Sequence, residues 1–455
     1  MRTRKAPRPA ACPVPPTPTA SRSSPRSTSR TASKAPSPAR SCASRVAKPR
    51  STSQHPQRRA PTVTHALRPT PALLLVLASA LAAPLGCSEA TSPEVASPPI
   101  PSHFPAPRIP PTNPWTVEKA ELGRALFYDT RLSGNGTQSC SSCHPQSRAF
   151  TDVLPRAMGS TGEEHPRRSM TLTNVAWNQT YNWANPLVTT LEQQALTPLF
   201  GEHPVELGLA GREDELIARL QNEPFYRQRF AAAFPDADAP ITLTHITYAL
   251  ASFQRTLVSG SSAFDRFMYE GDTSNFPESA RRGMSLFFSE RLECFHCHGG
   301  FNFSDATDHQ GLTTTSAPFH VTGLYNIDGQ GAYPAPNTGV HEVTGRPEDM
   351  GRFKAPTLRN VAVRAPYMHD GSVADLDAVI DHYAAGGRTI PDGPNAGVGY
   401  LNPNLSLFVP GFLITDEERE DLKAFLHSLT DHNFLTNPAL GPPADLPPFE
   451  PQVGE

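Results

Sequence analysis

The pattern Cys-x-x-Cys-His occurs twice in the sequence, as Cys140, Cys143 and His144 and again as Cys294, Cys297 and His298. This spacing is the attachment signature of c-type haem, in which two thiols bind the porphyrin covalently and the histidine binds the iron. A four-cysteine zinc site is the alternative. About 150 residues separate the two pairs, whereas zinc modules place theirs ~15–20 residues apart. The sequence therefore predicts two covalently bound haem c groups.

The iron of each predicted haem has two axial positions, and the histidine of the motif fills one of them. The group on the opposite side therefore decides the chemistry. If side chains fill both opposite positions, the chain is a non-enzymatic di-haem electron carrier, whereas an open position allows peroxide or oxygen to bind. His165, in the polar segment 160–168, could close the first iron as a gate, but its surroundings favour an exposed loop histidine.

Charge is distributed unevenly along the chain. Residues 1–70 contain 15 of the 40 lysines and arginines and none of the 43 aspartates and glutamates, so the remaining residues carry a formal net charge of −18. An acidic body argues against nucleic acid or an anionic membrane surface as a partner. Four of the seven cysteines belong to the haem motifs and the other three precede residue 88, which leaves none for a disulfide in the folded body.

The first 114 residues are predicted to be leader and linker. Residues 1–70 are rich in Pro, Ser, Thr and Arg, and are expected to be disordered or to precede the true translation start. Residues 71–87 resemble a signal peptide that ends in a lipoprotein-like cleavage site at Cys87, with ordinary cleavage at a small residue as the alternative. We therefore predict a periplasmic protein with a lipid anchor, a Pro-rich tether over residues 88–114 and a Pro-rich tail over residues 436–455.

An internal repeat divides the part of the chain that is expected to fold. Segments 123–129 and 282–290 share a short amphipathic pattern, and each leads into one haem motif. We predict a mainly α protein with two cytochrome c-like helical domains, residues 115–272 and 273–435, which have long irregular loops and few strands. Apolar spacing of three and four predicts further helices at 189–195, 213–221, 242–257, 373–385 and 415–429.

The sequence from about residue 115 to 432 resembles the bacterial di-haem cytochrome c peroxidase and MauG family. The segment Pro366-Tyr-Met-His369-Asp-Gly-Ser-Val is a hallmark of that family. Fourteen residues after this histidine, the peroxidases have a methionine that binds the second iron. This chain has Tyr383 there, and in the MauG-like branch the matching tyrosine is the axial ligand.

The identity of this ligand matters because tyrosinate is a hard anion that favours oxidised iron, whereas methionine sulfur raises the reduction potential. The resemblance therefore implies that Tyr383 caps the second iron. Met368, His369 and His382 are the alternative ligands, in which case Tyr383 is a buried aromatic side chain.

The same resemblance implies which residues form the peroxide pocket of the first haem. Gln194 matches the pocket glutamine, Pro198 the small residue that keeps the site open, and Glu206 the acid–base glutamate. A carboxylate suits that role because peroxide heterolysis moves a proton from the near oxygen to the departing one; otherwise Glu206 pairs with a cation or caps a helix. Trp183 matches the tryptophan between the haems, and Trp177 is expected to belong to the core.

Calcium lies between the haems in the resembling family. The resemblance implies the backbone carbonyls of Arg364 and Pro366 as ligands in this chain. The third family ligand is an asparagine side chain, and Arg168 stands at that position. Because arginine has no acceptor atom, a bound calcium ion is kept as an expectation with Asn174 as the replacement ligand.

Together the resemblance implies a peroxidase-type oxidoreductase. Hydrogen peroxide forms a high-valent di-haem state, which then oxidises a protein partner by long-range electron transfer. Segments 201–207 and 287–303 resemble MbnH-like enzymes, which modify a tryptophan on a partner protein. A cytochrome c peroxidase that detoxifies peroxide with electrons from a small cytochrome is the alternative enzyme, and the di-haem electron carrier is the alternative without catalysis.

Overall fold

The computed structural model describes residues 97–313 and 318–450. The predicted leader and signal peptide, residues 1–87, lie outside the described residues, as do the first nine residues of the predicted tether. In the described part of the chain, no helix combines the length and the apolar character that a bilayer crossing requires.

The described residues are mainly helical with few strands, which confirms the predicted fold class. The helices are α1 Val117–Tyr128, α2 Cys140–Cys143, α3 Leu191–Phe200, α4 Glu213–Asn222, α5 Pro224–Ala233, α6 Leu243–Gln254, α7 Ala263–Asp265, α8 Glu278–Phe287, α9 Cys294–His298, α10 His341–Thr344, α11 Leu376–Ala384, α12 Asp416–Ser428 and α13 His432–Thr436. Strands β1, Thr389–Ile390, and β2, Gly397–Val398, pair antiparallel with Thr389 opposite Val398. Single helical turns connect these elements at Thr130–Leu132, Gln146–Arg148, Val175–Trp177, Arg266–Glu270, Pro347–Asp349, Val361–Val363, Gly399–Leu401 and Pro438–Leu440.

Polar side chains fix the helix starts. The hydroxyls of Thr116, Thr190, Thr242 and Thr415 each accept a backbone N–H three residues on, at the starts of α1, α3, α6 and α12. The five helices predicted from apolar spacing are present as α3, α4, α6, α11 and α12, although α3 extends five residues further than predicted. Helix α5 was not predicted; it starts with a proline in its first position after the cap Glu223.

Two helix pairs cross closely at the glycines of the sequence repeat. Helix α1 meets α6 at Gly123, and α8 meets α12 at Gly283. A Cβ atom at Gly123 would lie 1.8 Å from the carbonyl oxygen of Ala249, and one at Gly283 would lie 1.9 Å from that of Asp421. Glycine is therefore required at both crossings. An equivalent helix pair accompanies each haem motif.

The apolar side chains form two main clusters. One draws on residues 122–257 together with Phe434 and Leu440, and the other on residues 264–429. The domain boundary after residue 272 stays a prediction; Phe264 already belongs to the second cluster.

The chain on either side of the helices packs against them. Phe104, in the predicted tether, is 6% exposed and packs against Trp177. Trp177 is fully buried and donates its Nε1 hydrogen to the carbonyl of Pro105 at 2.8 Å, as expected for a core residue. In the predicted tail, Leu440 is buried and its carbonyl accepts the hydroxyl of Tyr128 at 2.7 Å. The described parts of both flanking segments are therefore joined to the helical body.

Buried amides link the two clusters. Asn174 and Asn360 stand at the same place in a second repeat, Leu-x-Asn-Val-Ala, and both have a positive φ. Asn174 accepts the backbone N–H of Ser259 at 2.7 Å, and Asn360 donates to the hydroxyl of Ser259 at 3.0 Å. The carbonyl of the Asn360 side chain accepts the N–H of Asp431 at 2.7 Å. Ser259 thus bonds to the corresponding residue of each half.

Replacing Gly123 by alanine tests the close crossing. Helix propensity alone would favour alanine by about 1 kcal/mol, but the added methyl group would collide with the backbone of α6. We expect the free energy of unfolding to fall by about 1–3 kcal/mol, the usual cost of overpacking, measured by chemical denaturation of the haem-loaded protein. The control Glu121→Ala, at a half-exposed position of the same helix, should change the free energy of unfolding by less than ~0.5 kcal/mol. A Gly123→Ala protein that is more stable than the wild type would contradict the close contact between α1 and α6.

Candidate functional site

The first haem motif lies at the edge of a large cavity. Cys140, Cys143 and His144 line it, and its empty volume of about 1380 Å³ includes space that is open to solvent. The Nδ1 atom of His144 is 2.8 Å from the carbonyl oxygen of Phe150, which leaves Nε2 available as a metal ligand. Burial lowers the pKa of His144, and this favours the neutral imidazole that binds iron.

The second haem motif repeats this arrangement. Cys294, Cys297 and His298 line a cavity whose empty volume of about 1630 Å³ includes space that is open to solvent. Nδ1 of His298 is 3.2 Å from the carbonyl oxygen of Phe303. Phe150 and Phe303 are both buried and both have a positive φ, which turns their carbonyls toward the histidines. The paired thiols, the oriented imidazoles and the adjacent cavities fit two covalently attached haems.

Three predicted pocket residues line the first cavity together. Gln194 and Pro198 lie four residues apart on one face of α3. The chain then turns back, so that the N–H of Leu207 donates to the carbonyl of Pro198 at 2.9 Å. This turn brings Glu206 to the same cavity, where its own carbonyl accepts the N–H of Ser160 at 2.7 Å.

The carboxyl group of Glu206 is set to titrate near neutrality. Its side chain is 35% exposed and lines the cavity. Removal from bulk water raises the pKa of Glu206 to about 7. A carboxyl group with this pKa can both accept and return a proton at physiological pH.

His165 lies beside this carboxyl group. Its Nε2 atom is 3.7 Å from Oε1 of Glu206, and its Nδ1 accepts the N–H of Arg167 at 3.0 Å. The side chain is 24% exposed and lines the first cavity. The expectation of an exposed loop histidine is therefore wrong, because the N–H of His165 bonds to the carbonyl of Ala157 and turns the loop inward.

Trp183 lies where the two cavities meet. It lines both of them, together with the consecutive residues 168–171. Its Nε1 donates to the carbonyl of Arg168 at 3.0 Å, and its own carbonyl accepts the N–H of Lys354 at 2.9 Å. These two bonds hold the indole between the cavities.

Tyr383, on α11, lines the second cavity. Burial raises its pKa above the ordinary value, and none of the hydrogen bonds among the described residues involves its hydroxyl. Met368 and His369 also line this cavity, and His369 stacks on Phe353 at 3.7 Å between ring centroids. His382 is not part of the lining. The structure thus leaves three of the four ligand candidates facing the second cavity.

Two buried cations of the second cavity were not anticipated. Lys354 is 3% exposed and donates from Nζ to the carbonyl of Thr180 at 2.5 Å, and burial lowers its pKa to about 7. Burial likewise lowers the pKa of Arg364 to about 9. Neither forms an ion pair with a carboxylate in the described residues. A haem carries two carboxylates, so these cations suit it, but a single lysine and arginine in a loop give no periodic signal in the sequence.

Comparison with known proteins agrees with this geometry. The family model for the di-haem cytochrome c peroxidase matches residues 117–274. The methylamine utilization protein MauG of Methylorubrum extorquens is 36% identical over 70% of this chain and 80% of that protein. The chain belongs to the di-haem cytochrome c peroxidase and MauG family. Cytochrome-c peroxidase IdrP1 of Denitromonas iodatirespirans is 33% identical over 82% of this chain and 96% of its own.

Solved structures extend the family match. A MauG-like protein associated with microbial copper homeostasis is 47% identical, with a TM-score of 0.74 over 76% of this chain and 98% of that chain. The di-haem peroxidase BthA of Burkholderia thailandensis is 20% identical, covers 76% of this chain and 98% of its own with a TM-score of 0.56, and shares the fold.

The chain is therefore a di-haem peroxidase-type oxidoreductase of the MauG-like kind. It carries two haem c groups and acts with peroxide and a protein partner or electron donor.

Replacing Glu206 by glutamine tests its role in proton transfer. The substitution keeps the size of the side chain and removes the titrating oxygen. We expect kcat/KM for peroxide to fall by about 10²–10⁴-fold, the usual contribution of general acid–base catalysis. In the wild-type protein this constant should rise with pH through about 7, since the ionised form of Glu206 accepts the proton, and the variant should lose this dependence.

Stopped-flow absorbance at several pH values measures both effects. Glu202→Gln, at an exposed position of the same loop, is the control and should keep the wild-type rate and pH profile. An unchanged profile in Glu206→Gln would assign the proton transfer to another group.

Proposed function

We propose that this di-haem peroxidase oxidises a protein partner at a distance, with Tyr383 as the axial ligand of the second iron. The observation that carries the proposal is the position of Tyr383, which lines the second cavity with a hydroxyl that makes no hydrogen bond to the described residues. Family resemblance supports it, because tyrosine stands where the peroxidases have methionine. A phenolate ligand favours oxidised iron and disfavours the uptake of electrons from a cytochrome.

The residues of the first cavity prepare peroxide for cleavage. Glu206 accepts the proton of the oxygen that approaches the first haem and returns it to the oxygen that leaves. The amide of Gln194, one turn before Pro198 on α3, orients the peroxide. Pro198 offers no donor or acceptor side chain to this cavity, so it would leave room for peroxide beside a bound haem. When bound, the two haems supply the redox chemistry by taking two oxidising equivalents from peroxide.

Trp183 connects the two halves of the site. Because its indole borders both cavities, it provides an aromatic relay for electrons between the haems. A partner protein is too large to enter either cavity, so its oxidation requires electron transfer through the chain.

The partner is a protein whose tryptophan is modified. This assignment rests on the resemblance of segments 201–207 and 287–303 to MbnH-like enzymes, and on the 47% identity to a MauG-like protein associated with microbial copper homeostasis. We accordingly propose that the partner protein takes part in copper homeostasis. The predicted signal peptide, residues 71–87, supports a periplasmic location with a lipid anchor at Cys87.

A cytochrome c peroxidase that detoxifies peroxide is the second candidate. One observation favours it: Met368, a soft ligand typical of electron-accepting haems, also lines the second cavity. His165 on the first iron would produce a di-haem electron carrier, whereas its Nε2 lies 3.7 Å from Oε1 of Glu206.

Incubation of the haem-loaded protein with peroxide and candidate partners from neighbouring genes separates the two enzymatic functions. We expect a peroxide-dependent mass change on a tryptophan of one partner and slow oxidation of ferrocytochrome c. Omission of peroxide is the control. Rapid ferrocytochrome oxidation with no mass change on any partner would establish the detoxifying peroxidase instead.

Replacing Tyr383 by phenylalanine tests the axial ligand. We expect the visible spectrum of one ferric haem to change from that of a ligated iron to that of an open one, and partner oxidation to be lost. The matched control is Tyr333→Phe, because Tyr333 lines the same cavity and its hydroxyl accepts the N–H of Leu324 at 3.2 Å. If both variants keep the wild-type spectrum, Met368 or His369 holds the second iron.

A further inference from the structure

Arg168 is a buried cation between the two haem cavities. It is 6% exposed and lines both cavities. Its guanidinium donates to the carbonyl of Arg364 at 2.8 Å and to the carbonyl of Asp152 at 3.1 Å. None of the ion pairs within 4.0 Å in the described ranges involves this side chain.

The hydrogen-bond partners of this guanidinium are mainly backbone carbonyls. A guanidinium stays protonated even where burial lowers its pKa, as it does for Arg168. Buried charges are normally paired with a carboxylate, because backbone carbonyls replace only part of their hydration. Backbone carbonyls around a buried positive charge are also the oxygen ligands that a hard metal ion such as calcium takes.

The residues do not fit the calcium ion that the family resemblance implies. The carbonyl of Arg364, one of the implied calcium ligands, already accepts a hydrogen bond from Arg168. A guanidinium and a divalent cation cannot share this oxygen without strong repulsion.

Asn174 cannot replace the missing ligand. Its side-chain amide donates to the carbonyl of Ser259 at 2.9 Å and to Asn302 at 3.1 Å. Its side-chain oxygen accepts the N–H of Ser259 at 2.7 Å. All of its polar atoms are therefore used in the link between the two clusters.

We propose that Arg168 replaces the calcium ion between the haems with a covalently attached positive charge, so that the chain functions without calcium. The same residue also holds the surrounding segments together. Its N–H donates to the carbonyl of His369 at 3.0 Å, and its carbonyl accepts Nε1 of Trp183 at 3.0 Å. Arg168 thus joins the relay tryptophan to the segment 364–369 in a fixed geometry, whatever the supply of calcium. The proposal does not depend on which protein is oxidised.

Metal analysis of the mature protein with both haems tests the proposal. After passage over a chelating resin, elemental analysis should find far less than one calcium per chain. Excess EGTA or added CaCl₂ should leave the ferric spectrum and both reduction potentials unchanged. Retention of about one calcium per chain, or a shift of either potential on addition of EGTA, would overturn it.

Arg168→Asn removes the charge and supplies a side-chain oxygen. We expect calorimetric titration with CaCl₂ to show one site per chain in this variant, and its haem potentials to become sensitive to EGTA. Arg167→Asn is the matched control, because the neighbouring guanidinium pairs with Glu342 and its loss should create no calcium site.

A folded Arg168→Asn protein that keeps both haems and binds no calcium would contradict the proposal that Arg168 takes the place of calcium. If this variant fails to fold, Arg168→Lys provides the test, because lysine retains the positive charge. The Arg168→Lys protein should keep both haems in the presence of EGTA. An Arg168→Lys protein that retains calcium or needs it would contradict the proposal.

Discussion

The two haem sites depend on the orientation of their motif histidines. A backbone carbonyl lies 2.8 Å from Nδ1 of His144 and 3.2 Å from Nδ1 of His298. Each carbonyl belongs to a buried phenylalanine with a positive φ, so the imidazole is fixed on one side and its Nε2 is directed away. The paired thiols beside each histidine fit covalent attachment of a porphyrin, and the close helix crossings at Gly123 and Gly283 recur in each half.

The two halves are similar on the histidine side and different on the opposite side. The first cavity is lined by Gln194, Pro198 and Glu206, the residues that we propose to act on peroxide. The second cavity contains Tyr383 and buried cations. Trp183 lies between the cavities, and Arg168 supplies a positive charge beside it. The repeated haem motif is thus accompanied by different side chains in the two cavities.

Much of this could be predicted from the sequence. Spacing alone indicated the haem motifs, and apolar periodicity indicated α3, α4, α6, α11 and α12, because these helices bury one face. Family resemblance, not periodicity, pointed to Gln194 and Glu206, which the structure brings to one cavity. Helix α5 escaped prediction although its buried residues, Tyr226, Phe230 and Ala233, follow the same spacing of four and three.

Other features depend on contacts between distant residues, which the local sequence does not report. The inward turn of His165 depends on a backbone bond to Ala157. The contact of Arg168 with the carbonyl of Arg364 spans 196 residues, and the packing of Phe104 on Trp177 joins a Pro-rich segment to the core. Composition suggested a tether there, because proline content describes the backbone and not the few side chains that anchor it.

Unequal outer coordination of two haems is the central claim, and low-temperature electron paramagnetic resonance of the mature ferric protein tests it most directly. The account predicts one high-spin and one low-spin ferric signal, in equal amounts and together equal to two haems per chain. Two low-spin signals, or only one haem per chain, would contradict it.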